Sequence, residues 1–271
     1  MDSLQLCCVV PHAPILVPEV GGSELERVES TVSSFRSLSR ELDGLAPDTL
    51  IVVSPPHLRA SRPGTFSVNT EERFEGSFSR FRAPGVSIEA EYDFELIDAI
   101  IRDAAGGGIT VQGENASGER DWGLLVPLYY LLTEGASLVS IPVSPSMSYR
   151  EHFELGKVLR GAAERTGRRV ALAASGDLSH RLTPGAPAGY DPRAGEYDRW
   201  LVDVIASGDL RRLFDVDRRL LDLAGEDCLW SACVMAGAVD GLTRTSEVLS
   251  YEGPFGVGYM VARVVPGASD L

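Results

Sequence analysis

The chain has 271 residues, of which 44% are hydrophobic and 24% charged, and its formal net charge is −14. A chain of this length and composition can bury a large core, as one large α/β domain or two small ones. The negative charge argues against nucleic acid and anionic membrane surfaces as the main partner. It says little about a small substrate, because a cleft can differ in charge from the rest of the surface.

The termini and the cysteines narrow the class of protein. No basic segment followed by a long apolar core opens the chain, and no apolar run approaches the ~20 residues of a membrane helix. The four cysteines contain no Cys-x-x-Cys spacing, so buried reduced thiols are the expected state. The sequence therefore predicts a soluble cytoplasmic protein.

Predicted strands and helices alternate along most of the chain. The predicted strands cover residues 4–10, 49–53, 138–143 and 170–175, with shorter ones near 65–68, 77–81 and 109–111. The predicted helices cover residues 23–42, 94–105, 123–132, 148–165 and 229–239, with others starting at Asp191-Pro192 and within 209–223.

Two further strands, near residues 247–251 and 257–264, form a predicted hairpin at the end of the chain. The alternation indicates a three-layer α/β/α fold with a central, mostly parallel sheet, which the hairpin makes mixed. We see no internal repeat and no linker. Residues 1–271 are therefore predicted to form a single domain.

Three of the four histidines directly follow or extend an apolar β-like run. His12 follows the first strand in Val10-Pro11-His12-Ala13-Pro14, and His57 follows the second in Ser54-Pro55-Pro56-His57. The prolines end each strand and stiffen the loop behind it. Two neighbouring parallel strands would bring both imidazoles to one edge of the sheet.

The third such segment is Ala173-Ala174-Ser175-Gly176-Asp177-Leu178-Ser179-His180. The strand breaks at Gly176 and presents Asp177 and His180 in a loop. Strand ends are rigid and the loops beyond them are exposed, so α/β folds commonly offer catalytic groups there. An Asx-type turn is the structural alternative for this loop. His152, in the first turn of a predicted helix, is interpreted as a solvated side chain.

Two imidazoles and one carboxylate form a facial triad, which suits non-haem Fe(II) because three coordination positions stay open. The same donors also fit catalytic zinc. Glu226 is the preferred carboxylate because it is an acid just ahead of the apolar helix at 229–239, with Asp177 and Glu252 as rivals. A helix-start carboxylate favoured by the helix dipole is the alternative for Glu226.

Four segments together resemble the class III extradiol ring-cleavage dioxygenase superfamily, the LigB-like catalytic subunits. The resemblance is closest to the branch found with AMMECR and radical-SAM partners, which is related to Memo proteins. The Gly-Asp-Leu-Ser-His string is the most specific part. The segments are Val10–Pro14, Ser54–His57, Ser175–His180 and Tyr251-Glu252-Gly253-Pro254-Phe255-Gly256-Val257-Gly258-Tyr259.

The resemblance implies a LigB-like fold in which His12 and His57 are iron ligands. The family's ligand glutamate precedes a helix and has a tryptophan four residues later, a spacing that Glu226 and Trp230 match. In Memo-like relatives the third ligand is a cysteine in this region, so Cys228 is an alternative. The resemblance is also compatible with a homodimer.

The resemblance further implies that His180 is the active-site base and that Asp177 orients it or holds the loop. Ring-cleaving members carry a second active-site histidine in an Asp-His-Gly-like segment. This chain has Asp121-Trp122-Gly123 instead. Trp122 therefore stands where that acid would be, and we assign it to substrate binding.

The leading hypothesis is an Fe(II)-dependent extradiol dioxygenase that takes a catecholic aromatic substrate and O2, with zinc as the other possible metal. Its alternative is a Memo-like metal-binding or small-molecule-binding protein without ring cleavage, which Trp122 favours. A zinc hydrolase, in which His180 assists a metal-bound water, is a third reading of the same residues.

Overall fold

The structure is a computed structural model that describes residues 3–58, 62–115 and 118–267. The strands are β1 (Leu4–Val10), β2 (Thr49–Ser54), β3 (Phe66–Asn69), β4 (Arg73–Phe78), β5 (Ala83–Glu91), β6 (Val111–Glu114), β7 (Ser137–Pro142), β8 (Val170–Ser175), β9 (Arg244–Glu252) and β10 (Tyr259–Pro266). The α-helices are α1 (Pro18–Gly21), α2 (Glu29–Leu45), α3 (Phe94–Gly106), α4 (Trp122–Leu131), α5 (Tyr149–Thr166), α6 (Ala194–Ser207), α7 (Arg218–Ala224) and α8 (Leu229–Ala238). Short 3-10 helices lie at Pro14–Leu16, Gly22–Val28, Ser79–Phe81 and Leu210–Asp215.

A six-stranded sheet in the order β7-β2-β8-β1-β10-β9 forms the centre of the molecule. Strands β7, β2, β8 and β1 run parallel, and β10 and β9 extend the sheet antiparallel. Every residue of β2 and β8 is buried, as expected for parallel strands that are covered on both faces. The predicted mostly parallel sheet, made mixed by the terminal hairpin, is confirmed.

Helices cover both faces of this sheet. Helices α2 and α4 contact each other and the sheet, whereas α5 and α8 pack together against β1 and β8, with α3 beside α5. Two glycines allow the close α5–α8 approach. A Cβ atom at Gly156 would clash with the Val234 carbonyl, and one at Gly237 would clash with the Phe153 carbonyl.

Two small sheets lie outside the central one. Strands β3 and β6 pair in parallel, and β4 and β5 form an antiparallel hairpin. The region predicted as a strand near 77–81 divides between the end of β4 and the 3-10 turn Ser79–Phe81. This turn carries Phe81 to a position beside Trp122, where the ring centroids are 5.9 Å apart.

The solvated position predicted for His152 is wrong, because this side chain is completely buried. Its Nδ1 donates to the Ser148 carbonyl at 2.8 Å, and its Nε2 accepts from the Ser144 backbone N–H at 3.3 Å. The Phe66 ring packs edge-on against it with centroids 4.9 Å apart. Burial lowers the pKa of His152 to about 4. The first turn of α5 therefore faces the protein interior and not solvent.

The helix predicted to start at Asp191-Pro192 begins later, at Ala194, with Arg193 as its N-cap. The Asp191 carboxylate instead accepts a hydrogen bond from the Arg193 backbone N–H at 2.8 Å, as in an Asx turn. Ser148 and Glu151 form a capping box at the start of α5.

The four cysteines are buried, and none of them is in a disulfide. Burial raises the pKa of the Cys8 thiol to about 12, which keeps it protonated at neutral pH. Within the described ranges, no helix has both the length and the apolar character that crossing a bilayer requires.

Candidate metal centre

The loops that follow β1, β2 and β8 meet at one edge of the central sheet. They carry His12, His57 and Asp177, respectively. The sequence predicts that His12 and His57 follow neighbouring strands. In the structure β8 lies between β1 and β2, so the two strands are not neighbours. Their imidazoles nevertheless meet at this edge, with ring centroids 4.8 Å apart.

Asp227 supplies a carboxylate to the two imidazoles from the segment just before α8. Its Oδ2 lies 3.5 Å from the Nε2 of His12 and 3.3 Å from the Nε2 of His57. Its Oδ1 accepts from the Asp177 backbone N–H at 2.7 Å, which orients the carboxylate. The ligand atoms of the three side chains lie within 4.8 Å of one another, and no other described His, Cys, Asp or Glu side chains form such a cluster.

The carboxylate beside the imidazoles is therefore one residue away from Glu226, the residue chosen from the sequence. Glu226 Oε2 accepts hydrogen bonds from the backbone N–H groups of Cys228 and Leu229 and from the Tyr197 hydroxyl, each at 2.8 Å. It satisfies the free N–H groups at the start of α8, which is the alternative role of a helix-start acid. Burial raises the pKa of Glu226 to about 7.

The other predicted alternatives to Glu226 also lie outside the cluster. Cys228 is buried, and burial raises the pKa of its thiol well above the usual value. Glu252 accepts hydrogen bonds from the backbone N–H and the hydroxyl of Thr31, at 2.7 and 2.5 Å. Neither residue is a member of the His12, His57 and Asp227 group.

Hydrogen bonds determine which nitrogen of each imidazole faces Asp227. The Ser175 hydroxyl donates to the Gly123 carbonyl at 2.6 Å, so it accepts from His12 Nδ1 at 3.1 Å. His57 Nδ1 donates to Asp121 Oδ1 at 2.6 Å. In the neutral imidazoles both Nε2 atoms therefore carry lone pairs toward the same point. Outer hydrogen bonds of this kind are typical of histidines that bind metals.

The charges in the cluster favour a cation. Burial alone would lower the pKa of His57, but hydrogen bonds to Asp121 and Asp227 raise it to about 9. Burial opposes ionisation of Asp227, yet His12 and His57 hold its pKa well below the usual range. Without a metal, protons on the imidazoles thus balance the carboxylate. A divalent cation would supply the same balance, and two nitrogens with one oxygen suit a transition metal.

His180 and Asp177 lie beside this cluster. His180 Nδ1 donates to the Gly225 carbonyl at 2.8 Å, so its Nε2 is free to face the site. Asp177 Oδ2 lies 3.8 Å from the Nε2 atoms of both His180 and His12. Its Oδ1 accepts from the His12 backbone N–H at 2.9 Å. Asp177 therefore holds the β1 and β8 loops together.

Gly176 allows the β8 loop to lie directly against the segment that carries Asp227. A Cβ atom at this position would clash with the Cys228 backbone. The backbone hydrogen bond from the Asp227 N–H to the Asp177 carbonyl, at 3.3 Å, needs this close approach. A glycine at the end of a strand is a typical signal of such contact.

Trp122 forms an aromatic wall beside His57. The two rings are stacked, with centroids 4.4 Å apart and an interplanar angle of 22°. The Arg80 guanidinium lies 5.7 Å from the indole centroid. Trp122 is only partly buried, so part of the indole is open to a ligand.

Asp121, Ser175 and Asp227 were not assigned to the site from the sequence. The string Gly225-Glu226-Asp227 offers two adjacent acids, and only the backbone conformation decides which of them faces the histidines. Asp121 lies just before the predicted helix start at Gly123, a position typical of a helix cap, and it does cap α4. Its hydrogen bond to His57 joins residues far apart in the sequence, so no local sequence pattern indicates it.

Several known proteins resemble this chain in sequence or in fold. Residues 6–262 match the family model of the catalytic LigB subunit of aromatic ring-opening dioxygenase. Protein CA_C1420 of Clostridium acetobutylicum is 34% identical over 272 residues. That alignment covers 97% of this chain but only 58% of the relative, so the chain spans little more than half of that protein.

A dioxygenase and a solved structure are more distant relatives. The 3,4-dihydroxyphenylacetate 2,3-dioxygenase of Escherichia coli is 25% identical over 209 residues, which cover 73% of this chain and 75% of that enzyme. The crystal structure of uncharacterized protein JW3007 from Escherichia coli K12 superimposes with a TM-score of 0.65 at 16% identity, over 96% of this chain and 99% of that one. The latter likeness shows the shared fold. On the match over residues 6–262, this chain belongs to the LigB family of aromatic ring-opening dioxygenase catalytic subunits.

Proposed function

We propose that the protein is an extradiol ring-cleavage dioxygenase that binds Fe(II) through His12, His57 and Asp227 and acts on a catecholic substrate with O2. The convergence of these three ligand atoms within 4.8 Å carries the proposal. Family membership and the dioxygenase relatives support an oxygenase-type enzyme. Two histidines and one carboxylate form the donor set of many non-haem Fe(II) oxygenases.

When bound, Fe(II) would supply open coordination positions for the catechol oxygens and for O2. We assign to His180 the role of accepting a phenolic proton; the hydrogen bond from its Nδ1–H to the Gly225 carbonyl, which leaves Nε2 for this task, supports the assignment. Asp177, at 3.8 Å, stabilises the imidazolium that results. The indole of Trp122 offers a flat surface for the substrate ring.

A second candidate function is a metal-binding or small-molecule-binding protein of the Memo type, without ring cleavage. Trp122 favours it, because the family resemblance of the Asp121-Trp122-Gly123 segment implies a histidine at this position in ring-cleaving members. The remaining histidine of the chain, His152, is buried against Phe66 and hydrogen-bonds only within its own region. His180 is thus the single acid–base imidazole beside the cluster in the described part of the chain.

Oxygen uptake by anaerobically Fe(II)-loaded protein tests both candidates, with a panel of catechols as substrates. Ring cleavage predicts O2 consumption in step with the loss of the catechol. Asp227→Asn should abolish metal binding and turnover, whereas the neighbouring Glu226→Gln should retain both. Tight Fe(II) binding without turnover of any catechol would support the second candidate, and Zn(II) retained in preference to iron would favour the hydrolase reading.

Equal loss of metal binding in both variants would contradict the assignment of Asp227. Each substitution replaces one carboxyl group by an amide, at adjacent positions. The comparison therefore separates the role of Asp227 as a metal ligand from a general effect on the start of α8. Circular dichroism of both variants checks that the helix is intact.

A further inference from the structure

A separate pocket lies against Asp121, and its walls include none of the three candidate metal ligands. It holds about 730 Å³ of empty space, part of which is its open mouth. The loop after β2, strands β3, β6 and β7, and the start of α4 surround it. Prolines and leucines form the apolar part of its walls, and hydroxyl, amide and charged side chains form the rest.

Two serines on the wall of this pocket have hydroxyl groups without a hydrogen bond to any described residue. Ser54, at the end of β2, and Ser67, in β3, are 6% and 5% exposed and both line the cavity. Neither hydroxyl bonds to another residue in the described part of the chain. Because both residues line the cavity, their hydroxyls can donate to or accept from a ligand bound there.

Counted over the described residues alone, Glu114 gives the pocket a surplus negative charge. Its carboxylate lines the cavity and forms no ion pair with a described residue, while the other charged groups at the pocket are compensated. Arg120 pairs with Glu71 and Glu119 pairs with Arg80, and the Asp121 carboxylate accepts a hydrogen bond from His57 Nδ1.

Among the described residues, the negative charge without a partner at this cavity is therefore the Glu114 carboxylate, and the serine hydroxyls can accept as well as donate. Behind Arg120, the Oε1 of Glu71 is also buried without a hydrogen bond. A positively charged group with several N–H donors would satisfy such acceptors, whereas a carboxylate would add a second negative charge. We propose that this pocket binds a primary ammonium group carried on a small apolar body, such as an arylalkylamine.

Asp121 connects this pocket to the metal centre, because the same carboxylate borders the cavity and holds His57 Nδ1. The amine has two possible sources. It can be the side chain of the aromatic substrate, a reading that rests on the proposed function, or it can be a separate ligand that binds next to the site.

The first experiment needs neither metal nor oxygen. Isothermal titration of the metal-free protein compares 2-phenylethylamine with the neutral 2-phenylethanol and the anionic 3-phenylpropionate. We expect the amine to bind about tenfold or more tightly than the alcohol, since hydrogen bonds to charged groups are the stronger ones. The acid should bind most weakly. An amine that binds no more tightly than the alcohol would overturn the proposal.

Variants locate the binding in this pocket. Glu114→Gln should remove the preference for the amine, and Ser67→Ala should weaken amine binding several-fold. Glu134→Gln, which removes an exposed charge outside the pocket, should leave the amine affinity unchanged. Unchanged amine binding in Glu114→Gln would place the amine elsewhere and refute the pocket assignment.

The second experiment distinguishes the two sources of the amine in the Fe(II)-loaded protein. If the amine is the substrate's side chain, 2-phenylethylamine competes with dopamine, and Glu114→Gln raises the KM for dopamine but not for 4-methylcatechol. If it is a separate ligand, Glu114→Gln leaves the KM for dopamine unchanged, and 2-phenylethylamine binds together with 4-methylcatechol. Failure of ring cleavage would refute the proposed function and leave the first experiment intact.

Discussion

Asp121 shows how one side chain can organise a metal site without touching the metal. Its two carboxylate oxygens accept from His57 Nδ1, from the backbone N–H groups of His57 and Leu58, and from that of Gly123. It therefore caps α4 and sets the orientation of His57 at the same time. A Cβ atom at Gly123 would lie 3.1 Å from the His57 ring, so a side chain there would disturb this arrangement.

We predict that Asp121→Asn weakens metal binding by about 10–100-fold, because an amide no longer stabilises the Nδ1–H tautomer of His57 as a carboxylate does. Competition between the protein and a chromophoric chelator for Zn(II) or Co(II) measures the change. Glu119→Gln, two residues earlier, is the matched control and should bind metal as wild type does. A Zn(II) affinity of Asp121→Asn within twofold of wild type would contradict the prediction.

His152 makes stability depend on pH. Its pKa is about 4 in the folded protein, against an ordinary value near 6.5. The unfolded chain therefore binds the proton first as pH falls, and folded-state stability should decrease from about pH 6.5 down to pH 4. The full effect is roughly 3 kcal/mol.

Denaturant unfolding of wild type and His152→Gln at several pH values measures this contribution. We expect the difference in unfolding free energy between the two proteins to favour wild type near pH 7 and to shrink by pH 4. If the difference in unfolding free energy stayed constant between pH 7 and pH 4, the pKa of His152 would not change on folding as expected.

At the scale of elements, the central feature is the position of β8 between β1 and β2. Three consecutive parallel strands then end at one edge, and their loops deliver His12, Asp177 and His57 side by side. Helix α8 adds Asp227 from its N-terminal side. The site therefore depends on how closely α8 and its partner α5 pack over the sheet.

Substitutions at Gly156 and Gly161, which both lie in α5, test this packing. A Cβ atom at Gly156 would clash with backbone of α8, whereas one at Gly161 meets no atom within 4 Å. We expect Gly156→Ala to destabilise the protein by about 1–3 kcal/mol through overpacking. Gly161→Ala should instead stabilise it by about 0.5–1 kcal/mol, because alanine favours helix. Urea unfolding of both variants measures the two effects, and equal stabilities would contradict the close contact.

At the scale of the whole molecule, the candidate ligands come from widely separated parts of the chain, His12, His57 and Asp227. They converge only in the folded state, where their ligand atoms lie within 4.8 Å of one another. A metal that binds all three therefore binds the native state far better than the unfolded chain.

We predict that metal binding raises the stability of the protein by about 2.7 kcal/mol when free metal is a hundred times the Kd. Differential scanning calorimetry with and without Zn(II) or Co(II) checks the accompanying rise in Tm. Asp227→Asn should lose most of this rise, and Glu226→Gln should keep it. An unchanged Tm of the wild-type protein at saturating metal would contradict a site formed by all three residues.

The sequence by itself determined the fold class and the loops of the site. Apolar runs followed by proline or glycine marked the ends of β1, β2 and β8, and helical periodicity marked the layers around them. The histidines could be selected because the chain has only four. These signals are local, so they are readable without the tertiary structure.

Only the tertiary structure decided that Asp227 faces the two site histidines and that His152 lies in the protein interior. Glu226 and Asp227 are adjacent, and the bonds of Glu226 to Cys228 and Leu229 turn the next side chain toward His12 and His57. The strand order, the burial of His152 and the bond from Asp121 to His57 likewise depend on residues far apart in sequence. The physical reason is that contacts between distant segments determine where a side chain points, whereas local sequence propensity determines only whether a segment forms a helix or a strand.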